Sequence, residues 1–262
     1  MTRSLLSAAS GMKAQQLKVD TIANNIANAS TPGYKKSELS FRSLLYQTYR
    51  EPGAPNGGGQ SNPTGLQFGS GAEISDSFKI HTQGVLEPTG GQFNMAIEGE
   101  GFFEVLLPSG EIRYTRDGNF HRDAAGTLTN PSGYTLNGAP AIPADAISVQ
   151  ISPDGVISTI NSEGALPTQV GNVTLTRFPN PAGLKAQGGN LYSPTAASGA
   201  AQQQQPGLTG TGVIRQGARE RSNIQVVDEL VALILAQRNY EVNSRAIKVS
   251  DEMLQEINQL AR

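Results

Sequence analysis

Both ends of the chain carry an apolar residue at every seventh position. Near the start these are Leu5, Met12, Val19 and Ile26, and near the end Val226, Leu233, Tyr240, Ile247, Leu254 and Ala261. A seven-residue repeat writes a narrow stripe along one side of a helix, the seam used in coiled-coil packing. The long middle is instead crowded with Gly, Pro and alternating β-type residues. A chain that keeps helices for its termini and folds its middle separately is built to bury those termini, and copies of itself are the partner expected first.

The N-terminal helix is expected over residues 3–29. Ala, Leu, Met, Gln and Lys favour it, and Ser30-Thr31-Pro32-Gly33 ends it. Gly11 inside it costs about 1 kcal/mol relative to Ala. The C-terminal helix is expected to start near Ser222 or Asn223, either of which can cap it, and to run to the end without Gly or Pro. In the first helix the column beside the stripe is Ala8, Gln15, Ile22 and Ala29. In the last it begins at Leu230 and continues with Gln237, Ser244 and Asp251. Small and polar residues there permit close approach and fix register. A few buried apolar side chains do not offset the ordering of so long a helix, so the first helix is expected to fray in an isolated monomer.

Between the helices three regions are expected. Residues 34–90 read as an extended or β-type link, with three Pro and seven Gly between Pro52 and Gly71. From about Asn94 the pattern becomes β. Phe102 to Leu107, Arg113–Thr115, Tyr134–Leu136, Ile147–Val149, Val156–Ser158 and Val173–Leu175 read as short strands. The turns lie at Pro108-Ser109-Gly110, Asp117-Gly118, Asn130 to Gly133, Asn137-Gly138 and Pro153-Asp154-Gly155. Ala196 to Gly212, with its run of four Gln, reads as low-complexity linker. The expected organisation is α+β and mainly β. Residues 1–33 and 215–262 form a helical assembly domain, 34–90 a link, and 91–214 an antiparallel β domain.

Composition narrows the function. The chain has 262 residues and no Cys, which removes disulfides and Cys-type zinc sites. No apolar run reaches bilayer-spanning length. Leu5 to Ala9 is too short for a signal-peptide core and is followed at once by Lys13, Gln15, Gln16 and Lys18. Residues 1–50 carry a net charge of +5, 51–214 of −7 and 215–262 of zero. The basic residues are scattered without aromatic interleaving, which points away from nucleic acid. His81 and His121 are the only histidines, without metal-ligand spacing, and are expected on the surface or in strands. Gly99-Glu100-Gly101 lacks the helix that a dinucleotide loop needs. Asp117, Asp123 and Asp154 sit in turns, where turn chemistry explains them and Ca²⁺ is the alternative. No catalytic constellation emerges, and no cofactor or metal is expected.

Three segments in order then resemble one family. Ile22 to Lys35, with Asn24, Asn25, Asn28, Pro32, Gly33 and Tyr34, resembles the N-terminal signature of the bacterial flagellar rod, hook and hook-filament axial proteins. Gly99 to Phe103 with Tyr114 to Phe120 resembles the β domain of distal rod and hook members. Ser222 to Ser244 resembles the terminal helix. The length, and the stretch from Leu44 to Gly69, are most similar to the distal rod branch; hook and proximal rod branches are the alternatives. The resemblance implies a structural, non-enzymatic subunit in the rod that crosses the periplasm, exported by the flagellar type III apparatus with no cleaved signal. It implies helical stacking with itself into a stiff shaft that carries torque from motor to hook. Proximal rod and hook or hook-junction proteins would lie at the ends, P- and L-ring bushings around it, with no membrane insertion. It also implies that the 46–70 segment keeps the rod straight. The self-assembly residues expected are Leu5, Met12, Val19, Ile22, Ile26, Val226, Leu230, Leu233, Tyr240, Ile247 and Leu254. A reading from another class is a secreted β-domain enzyme or binding module with multimerising helices.

Overall fold

The computed structural model describes residues 2–53, 63–161, 166–208 and 210–260. Two long helices enclose a mainly antiparallel β region in sequence, α1 over Thr2–Ala27 and α2 over Val226–Leu260. This is the α+β, mainly β organisation that the terminal heptads and the Gly-punctuated middle imply. The chain forms two compact units. One contains residues 1–26, 37–78 and 226–262, the other 27–36 and 79–225.

In the helical unit, strand Ser37–Ser43 pairs with Ala72–Lys79. The N–H of Leu44 donates to the Gly71 carbonyl at 2.9 Å, closing this ribbon at its far end. Beyond it, Tyr46–Arg50 pairs antiparallel with Leu66–Gly69. Within the Gly/Pro-rich stretch from Pro52 to Gly71, Leu66–Gly69 is thus a strand, where Leu66 and Phe68 alternate with smaller or polar neighbours despite the surrounding glycines. Every residue of these two strands is exposed. Residues 54–62, part of the 46–70 segment expected to keep the rod straight, lie outside the described residues. The ribbon rests on α1. The Ala72 N–H donates to Ser10 Oγ at 3.3 Å, and a Cβ on Gly71 would lie 2.1 Å from that oxygen. Farther out, the Arg3 guanidinium stands 4.8 Å from the centre of the Tyr49 ring, which packs edge-on against Phe68.

In the β-rich unit, a seven-stranded antiparallel sheet runs in the order Lys185–Gly188, Leu191–Ser193, Ile112–Thr115, Phe103–Leu106, Thr135–Leu136, Leu128–Thr129, His121–Arg122. A three-stranded sheet, Ser148–Ile151, Val156–Ile160 and Thr168–Asn172, lies in the same unit. Strand alternation sends neighbouring side chains to opposite faces, and Phe102 and Phe103 show it. Phe103 joins Met95, Ile97, Phe120 and Leu175 in the main core. Phe102 joins Tyr114, Phe178 and Tyr192 in a second cluster of edge-to-face rings 4.8–5.9 Å apart. Three of the five expected turns close as hydrogen-bonded turns: Gly110, Gly133 and Gly155 donate to Leu107, Asn130 and Ser152, each at 2.9 Å.

Two sequence expectations fail here. Gln202–Gln204 is not linker but a strand paired with Leu175–Arg177. Gln203 Nε2 donates to Thr174 Oγ1 at 2.8 Å, and buried Glu104 lies at the end of its reach, 3.5 Å away. A polar run low in complexity still pairs when a strand with a free edge, here Leu175–Arg177, lies beside it. The β-rich unit also takes in residues 79–90 and 215–225, because Leu86–Pro88 pairs with Ala218–Glu220 and Met95–Glu98 with Val213–Gln216.

Candidate assembly surface and junction

The two helices of the helical unit run antiparallel and touch along a heptad of small and polar residues. Ser4 Oγ lies 3.4 Å from Ser250 Oγ. A Cβ on Gly11 would lie 2.9 Å from Asn243 Nδ2. Asn25 Nδ2 donates to Glu229 Oε2 at 3.2 Å. Each step of seven forward on α1 is a step of seven back on α2, and the register sets Lys18 level with Ala236, which is fully buried. Gly11, a defect when α1 is considered alone, is thus a point of close approach. On α2 the inner column is Glu229, Ala236, Asn243 and Ser250, one residue ahead of the column that the sequence suggested from Leu230.

The apolar heptads flank this seam. Each α1 residue follows a seam residue by one, and each α2 residue from Val226 to Ile247 precedes one by three. The register therefore brings Leu5 near Ile247, Met12 near Tyr240, Val19 near Leu233 and Ile26 near Val226, each pair offset along the axis by two residues, about 3 Å. Leu5, Met12, Val19, Ile26, Leu233, Ile247 and Leu254 are half-buried, while Val226, Leu230 and Tyr240 are exposed. Ile22 is buried inside the chain. Midway along, a groove of about 430 Å³ opens between the helices, lined by Val19, Tyr240, Gln16, Gln237 and Glu241.

A second apolar stripe, not singled out from the sequence, lies on the other flank of α2. Leu235, Val242 and Val249 are 55%, 62% and 47% exposed. Each precedes a seam residue by one, which puts the stripe roughly 100° round the helix from the seam; the groove column lies about 60° round the other way. The sequence signal was present as a third seven-residue column but was masked by the more continuous one.

The family-motif residues organise the chain where it leaves α1. Within the helical unit, the Asn25 amide engages Ser37 like a strand edge, donating to its carbonyl at 2.9 Å and accepting its N–H at 3.0 Å. Asn24 is exposed. Asn28 accepts the Thr31 N–H at 3.1 Å, closing the turn after the helix. In the β-rich unit, the Pro32 carbonyl accepts from Asn190 Nδ2 at 2.8 Å. Tyr34 is buried, with Lys79 Nζ 4.4 Å from its ring centre.

Gly33 has φ +67°, and a Cβ there would lie 2.6 Å from the Asp117 nitrogen. Both the left-handed backbone and the contact demand glycine. Gly33→Ala is expected to destabilise the β-rich unit by roughly 2–4 kcal/mol, read from thermal unfolding. Gly33→Asn, which tolerates the backbone angle but keeps the Cβ, should not restore stability.

Beside Gly33 lies a buried ionic cluster. Glu220 Oε1 accepts from Lys35 Nζ at 2.6 Å and from the Gly84 N–H at 2.8 Å, while Oε2 faces Arg116 Nε at 3.3 Å. The side chains of Lys35 and Glu220 are fully buried and that of Arg116 nearly so. Burial lowers the Lys35 pKa, and Glu220 opposes that shift. Arg116 also donates to the carbonyls of Gly101 and Gly99 at 2.9 and 2.7 Å. The Gly99-Glu100-Gly101 segment is thus a guanidinium receptor. Asn223, expected as a helix cap, instead accepts the Lys36 N–H and donates to the Ile80 carbonyl, both at 2.8 Å. Ser222 is buried, and α2 begins only at Val226. These contacts tie residues 33–36, 79–84 and 220–223, three crossings of the chain, into one knot.

His81 is neither a surface nor a strand residue. Its ring packs edge-on against Phe102 and Tyr192 at 5.5 and 5.4 Å, and its Nδ1 is buried without a hydrogen-bond partner. Burial, with the charges of Lys35, Arg116 and Lys79, lowers its pKa to about 4. The cleft beside it, about 410 Å³, is bordered by Arg116, whose Nη1 and Nη2 donate to backbone carbonyls and whose Nε faces Glu220 Oε2. Asp117 accepts the Asn119 N–H as a turn residue. Among the described residues, no three His, Asp or Glu side chains converge on a metal-sized site, and no helix is long and apolar enough to cross a membrane.

The regions with this geometry match known families. Residues 5–35 match the model for flagella basal body rod proteins, 96–159 that for the flagellar hook protein FlgE/F/G D1 domain, and 215–260 that for the flagellar basal body rod FlgEFG protein C-terminal region. The flagellar basal-body rod protein FlgG of Buchnera aphidicola subsp. Acyrthosiphon pisum is 44% identical over 260 residues, covering 99% of this chain and 100% of that protein. FlgG of Borreliella burgdorferi is 43% identical over 264 residues, covering 100% of both. The flagellar hook-basal body complex protein FlhP of Bacillus subtilis is 30% identical over 269 residues, covering 98% of this chain and 99% of that protein. With all three segments matched in order and relatives of this identity spanning the full length, this chain belongs to the FlgG family of flagellar basal-body rod proteins.

Proposed function

We propose that this chain is a structural subunit of the flagellar distal rod. Its helix pair stacks against those of other copies, its β-rich unit contributes to the body of the shaft, and the whole transmits torque from motor to hook. The observation that carries this reading is the bare apolar surface of the helix pair. α1 and α2 meet through Ser, Gly, Ala and Asn, while Leu235, Val242 and Val249 remain in water. A contiguous exposed apolar strip of this kind marks an interaction surface. The buried Lys35–Glu220–Arg116 cluster supports stiffness, because it fixes three chain crossings at once.

Family membership supports the finer placement. The subunit passes through the flagellar type III export apparatus without a cleaved signal and assembles in the periplasm. There it contacts proximal rod proteins at one end, hook or hook-junction proteins at the other, and the P- and L-ring bushings around its circumference. The self-assembly surface comprises the flanking heptads from Leu5 to Ile26 and from Val226 to Leu254.

Electron cryotomography of cells lacking this gene tests the placement. The expected image is a basal body with a short proximal shaft and no distal rod or hook. A complete rod lacking only its hook, or an intact flagellum, would overturn it.

A further inference from the structure

We propose that the Leu235–Val242–Val249 stripe of one copy seats in the groove beside Val19 and Tyr240 of the next copy, an inference that rests on the self-assembly reading above. Three observations carry it. The first is period. The stripe presents an apolar side chain every seven residues, and the groove is bordered by apolar pairs every seven residues, Met12 with Tyr240 and Val19 with Leu233. On straight helices both repeats are about 10.5 Å, so one register satisfies every rung. The second is shape and exposure. The stripe is convex and about half exposed, whereas the groove between the helices is concave and holds about 430 Å³. The third is charge. Arg238 and Arg245 each lie three residues after a stripe residue, on its flank. Glu241 lines the groove, and Asp20 follows Gln16 by one turn.

The geometry has a consequence. Stripe and groove lie on opposite flanks of α2, so a copy that offers its stripe to one neighbour keeps its groove for another. Such a contact is heterologous. It does not close on itself and propagates as a filament. A stripe-to-stripe contact would be two-fold symmetric and would end at a dimer.

The chain has no cysteine, so the test needs only two substitutions. Val19→Cys and Val242→Cys are made singly and together in the full chain, concentrated, and treated with a short bismaleimide. Val242 is 62% exposed, so its replacement leaves the fold intact, and circular dichroism checks both sites. The double variant is expected to give a ladder of covalent multimers, and each single variant only monomer. Dimers from Val242→Cys alone would overturn the proposal by revealing a stripe-to-stripe contact. Sedimentation of the same samples separates the two levels of the account. Polymer that pellets without a ladder refutes the stripe-in-groove contact and leaves self-assembly standing. Absence of polymer at every concentration contradicts self-assembly itself, and the contact with it.

Discussion

Glu220→Ala is expected to destabilise the β-rich unit by about 3–5 kcal/mol. The substitution leaves Lys35 and Arg116 in the interior without their shared carboxylate, and it strips the Gly84 N–H of its acceptor. Desolvating a charge is tolerable only while its counter-charge and hydrogen bonds remain. The pair's own net worth is much smaller, so Lys35→Met combined with Glu220→Met should be less damaging than Glu220→Ala alone. Chemical denaturation followed by near-ultraviolet circular dichroism, which reports the Phe102, Tyr114 and Tyr192 cluster, reads both effects. A loss below about 1 kcal/mol for Glu220→Ala, typical of exposed pairs, would mean that the cluster is wet and does not fix the three chain crossings of the β-rich unit.

Acid should loosen the same region through His81. Its pKa in the folded protein is about 4, depressed chiefly by burial and further by Lys35, Arg116 and Lys79. In the unfolded chain it returns to 6.5. Between these values the unfolded state binds the proton and the folded state does not. His81 therefore contributes stability that is fully present above pH 6.5 and is lost as pH falls from 6.5 to 4. The full loss is roughly 3 kcal/mol. His81→Gln, whose amide does not titrate, should flatten the pH dependence of unfolding in that window. Equal slopes for the two proteins would show that the imidazole is solvated.

The terminal helices and some strands of the β domain, among them Phe103–Leu106, Ile112–Thr115 and Val156–Ile160, were legible from the sequence because each rests on local periodicity and turn chemistry. Leu5 to Ile26 and Val226 to Ala261 announce helices by their spacing alone, and Gly110, Gly133 and Gly155 mark turns by their own backbone freedom. What stayed hidden depends on contacts distant in sequence. Gly11 reads as a weak helix position until Asn243 is placed against it. Asn223 reads as a cap until residues 36 and 80 arrive to take its amide. Lys35, Arg116 and Glu220 look like three unremarkable surface charges, since nothing local says that the chain crossings bury them together. Gln202–Gln204 looks like linker because its partner strand lies more than twenty residues away. The motif Asn25 to Tyr34 was visible as a family signature, while its physical reason appeared only in the fold: an amide that mimics a strand edge, a glycine pressed on Asp117, and a buried ring beside the half-buried Lys79.

The central claim is that the helix pair completes its burial only in the company of other copies. Inside one chain its seam buries little apolar surface, chiefly Ile22 and a few alanines such as Ala8, Ala14 and Ala236. Amide hydrogen exchange on the dilute monomer and on the assembled rod tests this most directly. The expected result is rapid exchange along α1 and α2 in the monomer, strong protection of both in the rod, and a β-rich core equally protected in each. Helices as protected in a proven monomer as in the rod would contradict the account.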